Sequence, residues 1–275
     1  MGILYIVPTP IGNLEDITLR ALRVLREVKL IAAEDTRTSR VLLQHYAIAT
    51  PLTSYHEHNK LAKLDAIFAA LADGDVALIS DAGTPGISDP GYELIGAAIM
   101  RGIRVEPLPG ANAIMTALVG SGLPTDRFLY LGFLPRKTRA LRDLLESVAG
   151  QHHTLVAYES PNRLTDALDA ILQTLGDRPM CVARELSKKF EEFQRGTTRE
   201  VLAHFQANPA RGEITLVIGG APVVEPATWS EEQARAALFA RLEQGEPLQQ
   251  AAKAVAAESG WDKRAVYALG IGWQK

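Results

Sequence analysis

Two rhythms alternate along the first 120 residues. Ile3–Val7, Lys29–Ala33, Val76–Ser80 and Ile103–Glu106 are short, mostly apolar runs of strand length. Between them, apolar residues recur at helical spacing. Leu19, Leu22, Val24 and Leu25 follow a capping Asp16, with the helix expected from Ile17; Thr36–Tyr46 comes next. Leu61, Leu64, Ile67, Phe68 and Leu71 mark a third helix, Tyr92–Met100 a fourth, and another opens after Pro109-Gly110. This alternation predicts an α/β fold with a mainly parallel sheet covered by helices.

Gly120-Ser-Gly-Leu-Pro124 interrupts the pattern and bounds a first domain at 1–120. A second α/β domain, 124–220, resumes with strands at Phe128–Leu131, Thr154–Tyr158, Met180–Ala183 and Ile214–Ile218. Helices near Ala140–Val148, Arg163–Leu175 and Arg199–Ala207 fill the intervals. Ala221–Pro226 reads as another linker, and 227–275 as a small helical tail. There Ser230 and Gln233 form a capping box, Gly245 stops the helix, and Pro247 opens a second one. Gly260-Trp261 turns the chain and Asp262 caps a third helix, in a helix-turn-helix-like pattern that equally suits a plain three-helix unit.

Composition narrows the class. The chain has 275 residues and is 47% hydrophobic, enough for a real core, yet it contains no run of about eighteen apolar residues, so no membrane span is expected. The N-terminal stretch lacks a basic region and enters a strand pattern directly, unlike a signal peptide. Cys181 is the single cysteine, which excludes an internal disulfide and fits a cytoplasmic setting. A net charge of −3 argues mildly against a nucleic-acid partner. Its distribution does not: Arg136, Lys137, Arg139 and Arg142 form one basic cluster, and Arg184, Lys188, Lys189, Arg195 and Arg199 another, the latter interrupted by glutamates.

The densest local signal is the loop Asp81-Ala-Gly-Thr-Pro-Gly-Ile-Ser-Asp-Pro-Gly91 after the buried run Val76–Ser80. Three glycines, two prolines and two aspartates in eleven residues fix backbone groups around a ligand at the carboxyl end of a strand. There is no phosphate-binding G-x-x-x-x-G-K-[ST], no G-x-G-x-x-G after the first strand and no G-x-S-x-G elbow. His56-Glu57-His58 has weak metal-ligand spacing without a cysteine partner, and no metal is expected.

Several segments, in order along the chain, resemble the tetrapyrrole methylase superfamily, and most closely its bacterial branch of small-subunit ribosomal RNA methyltransferases. They are Leu4-Tyr-Ile-Val-Pro-Thr-Pro-Ile-Gly-Asn-Leu-Glu-Asp-Ile17, Ala33-Glu-Asp-Thr-Arg37, Ser54-Tyr-His-Glu-His-Asn59 and the Ser80–Gly91 loop. Leu108-Pro-Gly-Ala-Asn-Ala113, Gly132-Phe-Leu-Pro-Arg136, Tyr158-Glu-Ser-Pro-Asn-Arg163 and Ala183-Arg-Glu-Leu-Ser-Lys188 complete the set. Where the wider superfamily carries Gly-Asp-Pro, this chain has Ser80-Asp81-Ala82, a departure that favours the ribosomal branch over the precorrin enzymes.

The resemblance implies two α/β domains of the tetrapyrrole methylase type with S-adenosylmethionine in the cleft between them, a homodimer, and a helix-turn-helix appendage. It also implies 2′-O-methylation of a cytidine in the decoding region of 16S ribosomal RNA, within the 30S subunit. Superfamily cofactor contacts carry over to Pro10, Asp81, Ile87, Asn112, Ala113, Phe133, Glu159, Leu186 and Ile214. Candidate bases near the ribose hydroxyl are Glu34, Asp35 and Glu57, although Glu34-Asp35 also reads as the cap of the following helix. Lys188 is a candidate for orienting a phosphate or stabilising the developing alkoxide. Arg37, Arg136 and Arg163 are the candidates for contact with the RNA backbone. Two rivals remain open at this point: a methylase of a small molecule such as a tetrapyrrole precursor, and a helix-turn-helix regulator that binds S-adenosylmethionine as a ligand.

Overall fold

The computed structural model describes residues 1–56, 60–222 and 229–272. It separates into two compact units, Met1–Ala221 and Pro222–Lys275.

In the larger unit the first lobe runs β1 (Leu4–Ile6), α1 (Leu19–Glu27), β2 (Leu30–Ala33), α2 (Thr36–His45), β3 (Leu52–Ser54), α3 (Lys60–Asp73), β4 (Val76–Ile79), α4 (Tyr92–Met100), β5 (Val105–Pro107) and α5 (Ala113–Ser121). Its five strands lie in the order β3-β2-β4-β1-β5, all parallel. β4 is buried along its whole length, as its unbroken apolar run requires in a sheet covered on both faces. α1 and α2 pack Leu22, Leu25, Leu42 and Leu43 on one face. α3 and α4 pack Ile67, Leu71, Leu94 and Ala98 on the other. The chain therefore leaves neighbouring strands β1 and β4 toward opposite faces, which opens a crevice at their carboxyl ends.

The second lobe comprises β6 (Phe128–Phe133), α6 (Thr138–Ser147), β7 (Thr154–Glu159), α7 (Leu164–Leu175), β8 (Pro179–Arg184), β9 (Glu192–Thr197), α8 (Thr198–Ala207) and β10 (Ile214–Ile218). This sheet, β6-β7-β10-β8-β9, is mixed: β6 and β7 are parallel, while β10 runs antiparallel to both its neighbours. α6, α7 and α8 cover one face. The other face packs Val156, Cys181, Ala183 and Val217 against Ile114, Ala117 and Leu118 of α5. One helix thus joins the two lobes through a shared apolar core.

Local chemistry corrects several sequence expectations. Asp16 does not cap the first helix. It closes a short 3-10 turn, Leu14–Asp16, and Thr18 caps α1 by accepting from the Ala21 amide at 3.0 Å. The segment read as an interrupted basic cluster contains β9, an edge strand against β8. Its polar sequence suits an edge, where charge discourages pairing with foreign strands. Much of that cluster is neutralised internally: Arg184 pairs with Glu192 at 2.8 Å and Arg199 with Asp177 at 3.6 Å, while Arg195 donates to the Gly120 carbonyl.

The smaller unit is α9 (Glu231–Glu243), α10 (Leu248–Ser259) and α11 (Lys263–Leu269) around Leu238, Val255 and Val266. The Ser230–Gln233 capping box and the Asp262 cap both form. Among the described residues, no helix is long and apolar enough to cross a membrane.

Candidate active site

The crevice is built by loops that fasten one another. After β1, Thr9 exchanges backbone hydrogen bonds with Gly83, each 2.9 Å, so the Pro8–Gly12 turn lies on the loop that follows β4. That loop turns through Gly83, Gly86 and Gly91, all at positive φ. Ser88 also adopts a left-handed φ of 61°, which costs a non-glycine residue about 1–3 kcal/mol and marks a position fixed by its surroundings. Asn112 caps α5, accepting from the amides of Ile114 and Met115 at 3.0 and 3.2 Å, and its amide donates to Thr84 at 3.4 Å.

The second lobe closes the opposite wall. Leu186 sits between Glu185 and Ser187, both at left-handed φ. Lys188 reaches Glu185 at 2.9 Å and Glu213 at 3.1 Å, and the Glu213 amide donates to Glu185 at 3.0 Å. Contacts also cross between the lobes. Ser187 donates to Asp16, and the Ser88 and Tyr130 hydroxyls lie 2.6 Å apart. At Gly12 a Cβ would stand 2.4 Å from Lys188 Cγ and 2.8 Å from the Leu186 carbonyl oxygen. Gly12→Ala is therefore expected to push the two walls apart, weaken ligand binding about tenfold and cost about 1–3 kcal/mol by overpacking. Calorimetric titration beside a thermal melt checks both; unchanged affinity would refute the close approach.

Between the walls lies a cavity of about 330 Å³. Ile11, Gly83, Thr84, Ile87–Asp89, Asn112 and Ala113 line it from the first lobe, and Phe133, Tyr158–Pro161, Leu186 and Gly212–Thr215 from the second. Its size is that of a small-molecule site. Among the described residues, three carboxylates face it (Asp89, Glu159 and Glu213) and no lysine or arginine lines it. Glu159 is 3% exposed. Its Oε1 accepts from the Ser160 amide at 2.7 Å and pairs with Arg163 at 3.2 Å, while its Oε2 has no hydrogen-bond partner among the described residues. Burial raises the Asp89 carboxyl to about 7, helped by the charges of Glu34 and Asp81 and opposed by a hydrogen bond from Ser80. A half-buried carboxylate without a cationic partner, Asp89, and a buried acceptor without a donor, Glu159 Oε2, together suit a positively charged ligand rich in donors.

Most residues singled out as cofactor contacts meet here. Ile87, Asn112, Ala113, Phe133, Glu159, Leu186 and Ile214 all line the cavity. Pro10 lies in the turn just before the lining residue Ile11, and Asp81 stands at the start of the β4 loop outside the lining. Asp81 instead ties that loop to β2: its Oδ1 accepts from the Asp35 amide at 3.0 Å, and its own amide donates to Glu34 Oε2 at 3.3 Å. Burial raises the carboxyls of both Glu34 and Asp81. Asp35 caps α2 and is held down to about 2 by its bonds from Arg37, whose guanidinium approaches it to 2.6 Å. Glu57 lies outside the described residues. Lys188 spends its ammonium on Glu185 and Glu213 at the rim.

Of the three arginines, Arg136 is exposed. Arg163 turns inward, donating to the Leu134 and Pro135 carbonyls at 3.3 and 2.6 Å, and so anchors the loop that carries Arg136. Sequence reasoning missed Ser88, Asp89, Tyr158 and Glu213. Ser88 and Asp89 lay in the glycine-rich loop and Tyr158 opened one of the resembling segments, whereas Glu213 stood in no segment singled out.

The family model for tetrapyrrole (corrin/porphyrin) methylases matches residues 3–202. The chain is 46% identical over 273 residues to the ribosomal RNA small subunit methyltransferase I of Synechocystis sp., spanning 98% of each protein. The proteins of that name from Halalkalibacterium halodurans and Escherichia coli O157:H7 are 47% and 46% identical, each over 97% of this chain and 93% of the relative. Among solved structures, a diphthine synthase matches with a TM-score of 0.62 at 12% identity, over 80% of this chain and 90% of its own. A cobalt precorrin-4 methyltransferase matches at 0.60 and 17%, over 79% and 94%. At those identities the two structures speak for the fold alone. The parallel sheet joined to a mixed one, the crevice between them and the full-length likeness converge: the chain belongs to the tetrapyrrole methylase family, together with the proteins named ribosomal RNA small subunit methyltransferase I.

Proposed function

We propose that this protein methylates the ribose 2′-hydroxyl of a cytidine in the decoding region of 16S ribosomal RNA, using S-adenosylmethionine. The observation that carries this reading is the cavity's charge. Among the described residues, three carboxylates and no basic side chain line it. Such a lining repels phosphate-bearing cofactors and suits one with a sulfonium and an amino group. Bound there, S-adenosylmethionine supplies an electrophilic methyl group. Glu159 holds an acceptor ready for one of its donors, Phe133 and Ile87 offer apolar surface, and the lobes hold the acceptor hydroxyl in line, which supplies much of the acceleration. The full-length relatives, named for small-subunit ribosomal RNA, support RNA over a tetrapyrrole as acceptor. An exposed basic face at the start of α6, with Arg136, Lys137, Arg139 and Arg142, suits a phosphate backbone. Arg37, exposed beside the β2 loop, is assigned the same task.

In this reading the protein acts in the cytoplasm as a homodimer on the assembled 30S subunit. The test is methyl transfer from labelled S-adenosylmethionine to 30S subunits that lack the modification, with nucleoside analysis of the RNA. Label in 2′-O-methylcytidine of the decoding region is the expected result. Cofactor binding without label in RNA would reject the ribosomal acceptor and favour a small molecule. Sedimentation of the full chain tests the dimer.

A further inference from the structure

We propose that Asp89 is the general base that takes the proton of the attacking hydroxyl. This rests on the methyl-transfer reading above and assigns its proton. The three carboxylates that line the cavity are not equivalent. Glu159 is engaged by Arg163 and the Ser160 amide, and Glu213 by Lys188. Asp89 has no cationic partner among the described residues. The groups facing it are Glu34 from the end of β2, Asp81 and the Ser80 hydroxyl at the end of β4, and the Tyr130 and Tyr158 phenols from β6 and β7. None of these is positive, so no described group neutralises the carboxylate and its proton affinity stays high.

Its position is fixed as well as its charge. Ser88, at left-handed φ, bonds the Tyr130 hydroxyl across the cleft and clamps the backbone immediately before Asp89. A base works best when its proton affinity matches the operating pH. Asp89 at about 7 meets that condition, whereas Asp35 at about 2 is a weak base already engaged with Arg37. In the step, the ribose oxygen forms its bond to the methyl carbon, the carbon–sulfur electron pair stays on sulfur to leave a neutral thioether, and the hydroxyl proton passes to Asp89 and then to water. Asp89 also loses its proton more readily once a cation shares the cleft. Cofactor binding near pH 7 is therefore accompanied by proton release.

Two readouts test the assignment on the full-length protein. The first is calorimetric titration with S-adenosylmethionine at pH 7 in buffers of different ionisation enthalpy. The wild type is expected to release a fraction of a proton and Asp89→Asn none. The second is single-turnover methylation of 30S subunits across pH. The wild-type rate is expected to rise with pH along an acid limb at or below about 7, where the carboxylate ionises. Asp89→Asn is expected to lose the limb and about 10²–10⁴-fold in rate while still binding cofactor. Glu34→Gln removes a like charge and is expected to move the limb to lower pH.

Thermal melts test whether the variant folds and carry their own sign. A carboxyl raised in the folded state favours folding below its unfolded value of about 4 and loses that contribution as pH rises through about 7. Asp89→Asn should therefore gain on the wild type as pH rises from about 4 to about 7 and keep that gain at higher pH. A fully active Asp89→Asn with an unchanged limb, or a limb abolished by Glu34→Gln alone, would overturn the assignment. A wild type that neither binds the cofactor nor methylates RNA would overturn the methyl-transfer reading, and this inference with it.

Discussion

Arg178→Ala is expected to lower the melting temperature by roughly 10 °C, from a loss of about 3–5 kcal/mol. Arg178 is 5% exposed and sits where α7 ends and β8 begins. Its Nε donates to the Leu175 carbonyl at 3.0 Å, and its two terminal nitrogens to Gly219 at 3.4 Å and Ala149 at 2.5 Å. One guanidinium thus satisfies three carbonyls from separate segments, one of them in the last turn of α7, where a positive charge also favours the helix dipole. Truncation leaves these acceptors without their donor where water replaces it poorly. Arg178→Lys keeps the charge but lacks the planar fork, so it should fall between wild type and alanine. A full-chain melt followed by circular dichroism decides, and a shift under about 2 °C would show that water or relaxation replaces the bonds.

The second large effect is expected at Glu159. Glu159→Gln keeps the shape and an acceptor for the Ser160 amide, but removes the negative charge that faces Arg163 and the cavity. Hydrogen bonds to charged groups contribute about 1.5–3 kcal/mol, so affinity for S-adenosylmethionine should fall about 10- to 100-fold. Glu159→Leu should do at least as much, and should loosen the Leu134–Pro135 loop because Arg163 loses its carboxylate. Isothermal titration of both variants with the cofactor measures this directly. Wild-type affinity in Glu159→Gln would show that the unpartnered oxygen faces no ligand donor.

The two effects differ in how visible they were beforehand. Glu159 was legible because its segment, Tyr158-Glu-Ser-Pro-Asn-Arg163, belongs to the set that resembles the methylases. Arg178, in Gly176-Asp-Arg-Pro179, reads as an ordinary turn residue, since its partners Ala149 and Gly219 are remote in sequence and only folding assembles them.

By itself the sequence determined the elements whose information is local. Apolar period fixed β1, β4, α4 and α7, Ser230 and Asp262 announced their caps, and the glycine- and proline-rich loop after β4 stood out as the segment that lines the cavity. Edge strands β3 and β9 escaped because three residues, or a polar run, bury too little to show a period. Tertiary structure alone decided that β10 inserts antiparallel between β7 and β8, and that α5, read with the first domain, buries its apolar face on the second sheet. It also decided which acids meet. Asp89 becomes distinctive only when the cleft withdraws it from water and brings Glu34 near it, while Arg37, two positions from Asp35, ties that acid down. Proton affinity depends on desolvation and on charges a few ångströms away, and those distances exist only after the chain has closed on itself.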